Sequence, residues 1–331
     1  MVNAMNLLLI GTGSIGLRHL ANVRFLCPNV HVYVLREGCR ATSLDIEALG
    51  CHVSVVTSLD EAIRIKLDLM VIANPTSMHL RYLIAAIEHG VPFYIEKPVL
   101  SSLDEVEQLK QCINRMGGRL PPNQVGCNLR FLPSLVALRS LVRSGGLGRI
   151  AHASFEAGQW LPDWRPKSDY RSSYSAKRSM GGGVSLDLIH EIDAARWILG
   201  EFIDVHGALG YGSSLGIETE DCACFVMKSE AGSLATVQLD YVSRQPFRRY
   251  RIVGDLGTAE WDMPKRYISV SSAEGCLDLS LDHGAFDVGQ TYIAAMRELI
   301  SAIETSAKTS LPIAEGIASL ELVLKAKLIS S

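Results

Sequence analysis

Along the first third of the chain, short runs rich in Val, Ile and Leu alternate with stretches whose apolar residues recur at helical spacing. The runs at 7–10, 30–35, 53–56, 67–73 and 93–95 read as strands buried on both faces, and the stretches between them read as helices. Two of these helices open on a capping pattern, Thr57-Ser58-Leu59-Asp60-Glu61 and Ser101-Ser102-Leu103-Asp104-Glu105, in which a hydroxyl and a carboxylate satisfy the first backbone donors. Five strands alternating with helices predict a doubly wound parallel sheet. Gly117-Gly118-Arg119-Leu120-Pro121-Pro122-Asn123 punctuates the chain after it, and a domain boundary is expected there, giving domains 1–123 and 124–331.

Beyond that boundary the period changes. Alternating runs at 150–157, 202–209, 222–228, 234–242, 249–253 and 259–263 predict a mostly antiparallel sheet with one buried face, its turns suiting a meander. Helical patterns occupy 134–144, 185–199, 288–304 and 315–328. The expected fold class is therefore α/β, a Rossmann-type domain followed by an α/β domain with an open sheet.

Composition narrows the function classes. Of the 331 residues, 48% are hydrophobic and 20% charged, ordinary for a globular protein and too apolar for a disordered one. A net charge of −3 gives no field that would draw in nucleic acid or an anionic membrane. The eight cysteines form no CxxC pair, and with no basic leader or long apolar run a cytoplasmic protein without a metal site is expected.

The first candidate chemistry lies where the first strand runs into Gly11-Thr12-Gly13-Ser14-Ile15-Gly16. In a strand–turn–helix setting, glycines at this spacing let the backbone approach a pyrophosphate seated on the helix N-terminus. At the end of the second strand an acidic residue would bind a ribose 2′-hydroxyl, but Arg36 stands there with Glu37 beside it. A guanidinium suits a 2′-phosphate and a carboxylate suits a hydroxyl, so NAD and NADP are both open. After the fourth strand, Asn74-Pro75-Thr76-Ser77-Met78-His79 forms a polar turn at the ligand-binding edge of the sheet, where Thr76 or Ser77 serves either the cofactor or the helix cap. The fifth strand ends in Glu96-Lys97-Pro98, placing Lys97 at the same edge. In the second half, Gly181-Gly182-Gly183 leads into a helix that carries Asp187 and His190. Three residues apart on one helix they share a face, and a carboxylate beside a histidine can orient it for proton transfer near neutral pH.

Taken together, Gly11 to Gly16, the Ala73 to His79 turn, Glu96-Lys97-Pro98, Gly126-Cys127-Asn128-Leu129-Arg130 and the Gly181 to Asp193 stretch resemble the glucose-fructose oxidoreductase / inositol dehydrogenase / rhizopine-catabolism (Gfo/Idh/MocA) family over nearly the whole chain. The resemblance implies a nicotinamide cofactor held by Gly11, Gly13, Ser14, Ile15, Gly16, Arg36, Asn74, Thr76, His79, Glu96 and Lys97. It implies a catalytic set of Lys97, Asp187 and His190, with Lys97 between nicotinamide and a sugar or cyclitol substrate. It also implies that helices 288–331 pack back on the first domain and that copies of the chain associate, as a dimer or tetramer, through the open sheet. One departure is that the family spaces its Asp and His four residues apart, whereas Asp187 and His190 are three apart.

The loop 160–178 carries Arg165, Lys167, Arg171, Lys177 and Arg178 against Asp163 and Asp169. It is similar, more loosely, to the loop of relatives that modify nucleotide-linked sugars or nonulosonic acids for surface glycans. On that resemblance the substrate residues are Asn128, Arg130, Trp164, Arg165, Tyr170, Arg171, Tyr174, Asp187 and His190. A second basic group, Arg244, Arg248, Arg249 and Arg251, has no acid among its members. Both groups predict an anionic substrate, because guanidinium groups pair with phosphate and carboxylate. The alternatives are a free-sugar or inositol dehydrogenase, a hydrolase or lyase that oxidises its sugar only transiently, and a nucleotide sensor without catalysis. Retention of Lys97, Asp187 and His190 argues against the sensor.

Overall fold

In the computed structural model, residues 5–38, 50, 52–164, 166, 168–279 and 281–329 are described. Arg165 and Lys167 of the basic loop lie outside them. The chain forms two compact units, one of Met1–Gly126 with Tyr292–Gly316 and one of Cys127–Thr291 with Ile317–Ser331.

The first unit is built on β1 (Asn6–Ile10), α1 (Ser14–Leu26), β2 (His31–Leu35), β3 (Val53–Val56), α2 (Leu59–Ile63), β4 (Leu69–Ile72), α3 (His79–Glu88), β5 (Phe93–Ile95), α4 (Leu103–Arg115) and β6 (Asn123–Val125). The sheet is parallel throughout, in the order β3-β2-β1-β4-β5-β6. Order reverses between β1 and β4, so the turns after these two strands lie side by side at the carboxyl edge, the switch point where such sheets bind ligands. Both capping patterns form. Ser58 accepts from Glu61 N and Ser102 from Glu105 N, while Glu61 and Glu105 reach back to Thr57 N and Ser101 N. The sixth strand, which no apolar run announces, begins at Asn123, the last residue of the Gly117 to Asn123 stretch, and continues past it to Val125. Asn123 is held there from both sides, its carbonyl accepting from Thr309 and its Oδ1 from the backbone of Ile313.

The second unit contains α5 (Pro133–Arg143), β7 (Ile150–Gly158), α6 (Val184–Asp187), α7 (His190–Leu199), β8 (Phe202–Gly210), β9 (Cys222–Ser229), β10 (Leu234–Asp240), β11 (Phe247–Gly254), β12 (Gly257–Asp262), β13 (Tyr267–Ser272) and β14 (Gly275–Asp278). They form one eight-stranded sheet in the order β14-β13-β12-β11-β7-β10-β9-β8. It departs from a meander in one respect: β7 sits in the middle, antiparallel to β11 but parallel to β10. Its core is aromatic. Phe155, Tyr250 and Trp261 follow one another at centroid separations of 4.8 and 4.7 Å, and the Trp261 indole donates to Ser134 on α5, which ties sheet to helix. The last helices, α8 (Val288–Thr305) and α9 (Ile313–Ile329), are each divided by the units: 292–316 belongs to the first and 317–329 to the second.

The helix expected over 185–199 is broken. Leu188 leaves helical geometry at φ −97°, ψ 33°, so Asp187 ends α6 and His190 begins α7. The two residues are therefore not placed on one face of a continuous helix, as their spacing suggested.

Candidate functional site

In the first unit, the turn from β1 to α1 is fitted to an anion. Gly11 has φ +97°, and a β-carbon there would stand 2.5 Å from the Ala73 carbonyl. A β-carbon at Gly16 would stand 2.0 Å from Gly11 O, whereas one at Gly13 would meet nothing within 4 Å. Gly11 and Gly16 are thus required by packing, and Gly13 leaves open room above the helix. As N-cap of the 13-residue α1, Gly13 supplies no side-chain acceptor, and the first turn holds no acidic residue. The leading N–H groups, including those of Ser14 and Ile15, present the positive end of the helix dipole to that room, a setting for a diphosphate.

The neighbouring turn adds polar groups. His79 is buried on α3, with Nε2 at 2.9 Å from Asn74 O and Nδ1 at 3.0 Å from Val99 O. Burial pushes its pKa down, against the opposing pull of those carbonyls, and the ring fixes the turn. Asn74 itself is half-buried, and both its amide atoms are buried without a hydrogen-bond partner, which suits a polar ligand. Thr76, buried in the turn, caps nothing, and neither does Ser77: the caps are Pro75 for the 3-10 turn and Met78 for α3, neither with a side-chain bond. At the end of β2, Arg36 Nη1 reaches Thr12 Oγ1 at 3.4 Å, over the glycine turn. Glu37 is engaged by Arg81, by the Tyr82 hydroxyl at 2.9 Å and by Leu59 N at 3.3 Å. Burial, then the bond to Glu37, pushes the Tyr82 phenol up to about 12.

Glu96 and Lys97 leave β5 together. Glu96 is buried, with Oε1 at 2.7 Å from His19 Nε2 on α1 and Oε2 accepting from Lys97 N. A β-carbon at Gly126 would meet the same carboxylate at 2.9 Å. Lys97 follows half-buried. His19 lies three residues beyond Gly16, on the buried face of α1, and that spacing was the one signal of this contact in the sequence.

In the second unit, the triple glycine makes a close approach possible. A β-carbon at Gly182 would stand 2.1 Å from Tyr174 O, and Gly181 and Gly183 have φ of +79° and +121°. The α6 turn that follows carries Asp187, 1% exposed, whose Oδ2 accepts from the Tyr241 hydroxyl at 2.5 Å. Burial, then the Asp187 charge, holds the Tyr241 phenol well above its ordinary value. Trp164 packs edge-on against the Tyr241 ring at 5.4 Å, and its indole nitrogen is buried without a partner. His190 begins α7 half-buried. Tyr241, just beyond β10, carried no signal in the sequence because only the sheet returns it to Asp187.

Other predicted residues are committed within the fold. Arg130 forms a buried two-pronged pair with Asp193 at 2.8 and 2.7 Å, and Asn128 donates to Thr291. Tyr170 donates to Leu215 O with the exposed Arg171 guanidinium stacked on its ring. The Tyr174 carbonyl accepts from Lys177 N and lies against Gly182. The second basic group, free of acids in sequence, meets them in space: Arg248 pairs with Glu191, Arg249 with Glu156 and Arg251 with Glu260. In the loop, Lys177 pairs with Glu218. Arg244 instead lies 3.6 Å over the Trp160 ring. No group of three or more potential metal ligands occurs among the described residues, and no described helix is long and apolar enough to cross a membrane.

Comparison with known proteins agrees with this architecture. Residues 5–124 match the oxidoreductase family model with an NAD-binding Rossmann fold, and residues 135–260 match the GFO/IDH/MocA C-terminal domain. An uncharacterized oxidoreductase of Bacillus subtilis, YrbE, is 28% identical over 279 residues, covering 80% of this chain and 76% of the relative. Inositol 2-dehydrogenase of Rhizobium meliloti is 26% identical over 324 residues, covering 95% and 93%. Among solved structures, levoglucosan dehydrogenase in complex with NADH and levoglucosan superposes with a TM-score of 0.83 at 20% identity, over 99% of this chain and 98% of that one. An Agrobacterium radiobacter oxidoreductase in complex with NAD+, L-tartaric acid and magnesium gives 0.82 at 18% identity, over 99% and 96%. With both family models matched in order and the glycine turn, helix terminus and Asn74 fitting the dinucleotide, this chain belongs to the Gfo/Idh/MocA family and is a nicotinamide-dependent oxidoreductase.

Proposed function

We propose that the enzyme interconverts a secondary alcohol and a ketone on a sugar or cyclitol, and that its substrate carries a negative charge. The observation that carries the first part is the buried Asp187–Tyr241 pair beside His190: an ion this far from water is costly unless it serves chemistry or is fully paired. When bound, the nicotinamide accepts or returns the hydride. Lys97 and His190 move the hydroxyl proton, Asp187 holds the reacting group in orientation, and Tyr241 fixes the Asp187 carboxylate. Gly11, Gly13, Ser14, Ile15 and Gly16 hold the diphosphate, with Asn74, Thr76 and His79 lining its turn.

For the substrate charge, the support is Arg171, stacked on the Tyr170 ring and meeting Asp169 only at 3.9 Å on the surface, and Arg244 over Trp160, neither of them buried in an ion pair. The loop resemblance assigns such a substrate to nucleotide-linked sugars or nonulosonates in surface-glycan synthesis. A neutral polyol is the second reading, favoured by the inositol 2-dehydrogenases among the relatives and by the pairing of most other basic residues with acids. Initial rates at the nicotinamide absorbance band, for UDP- and CMP-linked sugars against free sugars and inositols at two salt concentrations, separate the two. The anionic reading expects the linked sugars to be preferred, less so at high salt. It also expects Arg171→Ala or Arg244→Ala to raise KM about tenfold, the equivalent of one charge-assisted hydrogen bond. Equal rates for neutral sugars and unchanged KM in both variants would establish the polyol reading. Assembly as a homo-oligomer is proposed through the sheet face that exposes Ile203, Val226 and Leu234, to be measured by light scattering.

Arg36 governs the choice of cofactor in this reading, because Glu37 is held by three donors of its own unit. Arg36→Asp should shift the ratio of NADP to NAD dissociation constants at least tenfold toward NAD, measured by fluorescence titration. An unchanged ratio would make Arg36 a bystander.

A further inference from the structure

Asp187 is supported from two directions, and both lead to the short connector before β9. Val184 N, at the start of α6, donates to Glu220 O at 3.1 Å, and Asp187 N donates to Gly183 O at 2.9 Å. The Ser185 hydroxyl donates to Glu220 Oε1, and a β-carbon at Gly183 would stand 2.4 Å from that oxygen, so only glycine lets the carboxylate approach this closely. From the other side, Tyr241 N donates to Asp221 O at 2.8 Å, and the Tyr241 hydroxyl reaches Asp187. The same connector reaches the loop, through Glu218 N to Ala176 O and the Thr219 hydroxyl to Ser175 O.

Glu220 is only 3% exposed, and a carboxylate removed this far from water must be compensated. Lys327, near the end of α9, donates to Glu220 Oε1 at 2.8 Å. Its stem approaches from 140 residues downstream of Asp187 in sequence, so the last helix supplies the charge that lets the connector hold α6.

We infer that Glu220 and Lys327 are positioning residues for Asp187: their part-buried ion pair, with the Ser185 bond, sets where the Asp187 carboxylate stands, making the C-terminal helix part of the active-site support. The inference rests on the proposed role of Asp187. Neither residue touches the reacting atoms; each acts through α6. Lys327→Met should release Glu220 and loosen α6, whereas Lys327→Arg should preserve the pair.

The test compares full-length wild type, Lys327→Met, Lys327→Arg, Ser185→Ala and Asp187→Asn. Rates are taken with whichever of UDP-glucose, a CMP-linked nonulosonate, D-glucose and myo-inositol the wild type turns over fastest with NAD or NADP. Crystal structures report the Asp187–Tyr241 separation without any substrate. Expected are a tenfold or greater fall in kcat for Lys327→Met and Ser185→Ala, with KM and the cofactor dissociation constant within threefold of wild type. The Asp187–Tyr241 contact should be lost in Lys327→Met, and Lys327→Arg should recover kcat to within threefold. A folded Lys327→Met that keeps both the contact and the wild-type kcat would overturn the inference. So would a loss of activity matched by equal losses of cofactor binding and melting temperature, which marks general instability. Asp187→Asn distinguishes the two levels: full activity there removes the proposed role of Asp187 itself, whereas an inactive Asp187→Asn beside a normal Lys327→Met removes only the positioning role. If Lys327→Met fails to fold, Ser185→Ala, which leaves the ion pair intact, decides by the same criteria.

Discussion

Replacing Lys97 by Met should lower kcat by about 10²–10⁴-fold, the usual contribution of one positioned acid–base group, while the cofactor dissociation constant changes by less than about threefold. Lys97 leaves β5 at the carboxyl edge of the parallel sheet, and Met keeps an unbranched apolar stem one atom shorter than that of Lys while removing its proton and charge. The motif's other charged side chain, Glu96, is bound to His19 and to the Lys97 backbone, so the turn itself should persist. Steady-state rates with a titration of NAD and NADP check both halves. A loss of activity below about threefold would place the proton transfer elsewhere.

Gly13→Val should raise the dissociation constants of NAD and NADP about a hundredfold or more, equivalent to ~2.8 kcal/mol, with little change in melting temperature. The asymmetry comes from geometry: a β-carbon at Gly13 meets no protein atom within 4 Å, so the valine fills the room assigned to the diphosphate without straining the fold. Gly16→Val provides the contrast, because its β-carbon would stand 2.0 Å from Gly11 O and should damage the turn itself. Thermal unfolding and isothermal titration of both variants would separate the two roles. Wild-type affinity in a folded Gly13→Val would mean that the dinucleotide does not sit on α1.

Legibility in the sequence followed the range of the forces involved. Strands β1 to β5 are apolar runs, β1, β4 and β5 buried almost along their length and β2 and β3 in part, and the two capping boxes join residues three or four apart, so their signals are local and survive in the bare sequence. The sixth strand spans only Asn123–Val125 and is held by residues nearly 200 positions away. The last strand, Gly275–Asp278, is exposed along its whole length, so no apolar alternation marked it. Strand pairing is non-local as well: nothing in the pattern of β7 says that its neighbours will be β11 and β10.

The sequence by itself determined the glycine turn between β1 and α1, the cradle proposed for the dinucleotide, because Gly11, Gly13 and Gly16 lie within one strand–turn–helix. It also placed Lys97 at the end of a strand and Asp187 and His190 near a glycine turn. Only the tertiary structure decided that the helix breaks at Leu188, that Tyr241 holds Asp187, that Glu37 belongs to Arg81 and Tyr82, and that Arg248, Arg249 and Arg251 meet Glu191, Glu156 and Glu260. Apart from the helix break, each of those is a contact between charged or polar groups on different elements. Spacing fixes which face of an element a side chain occupies, but the partner that compensates a buried charge is chosen by the packing of whole elements.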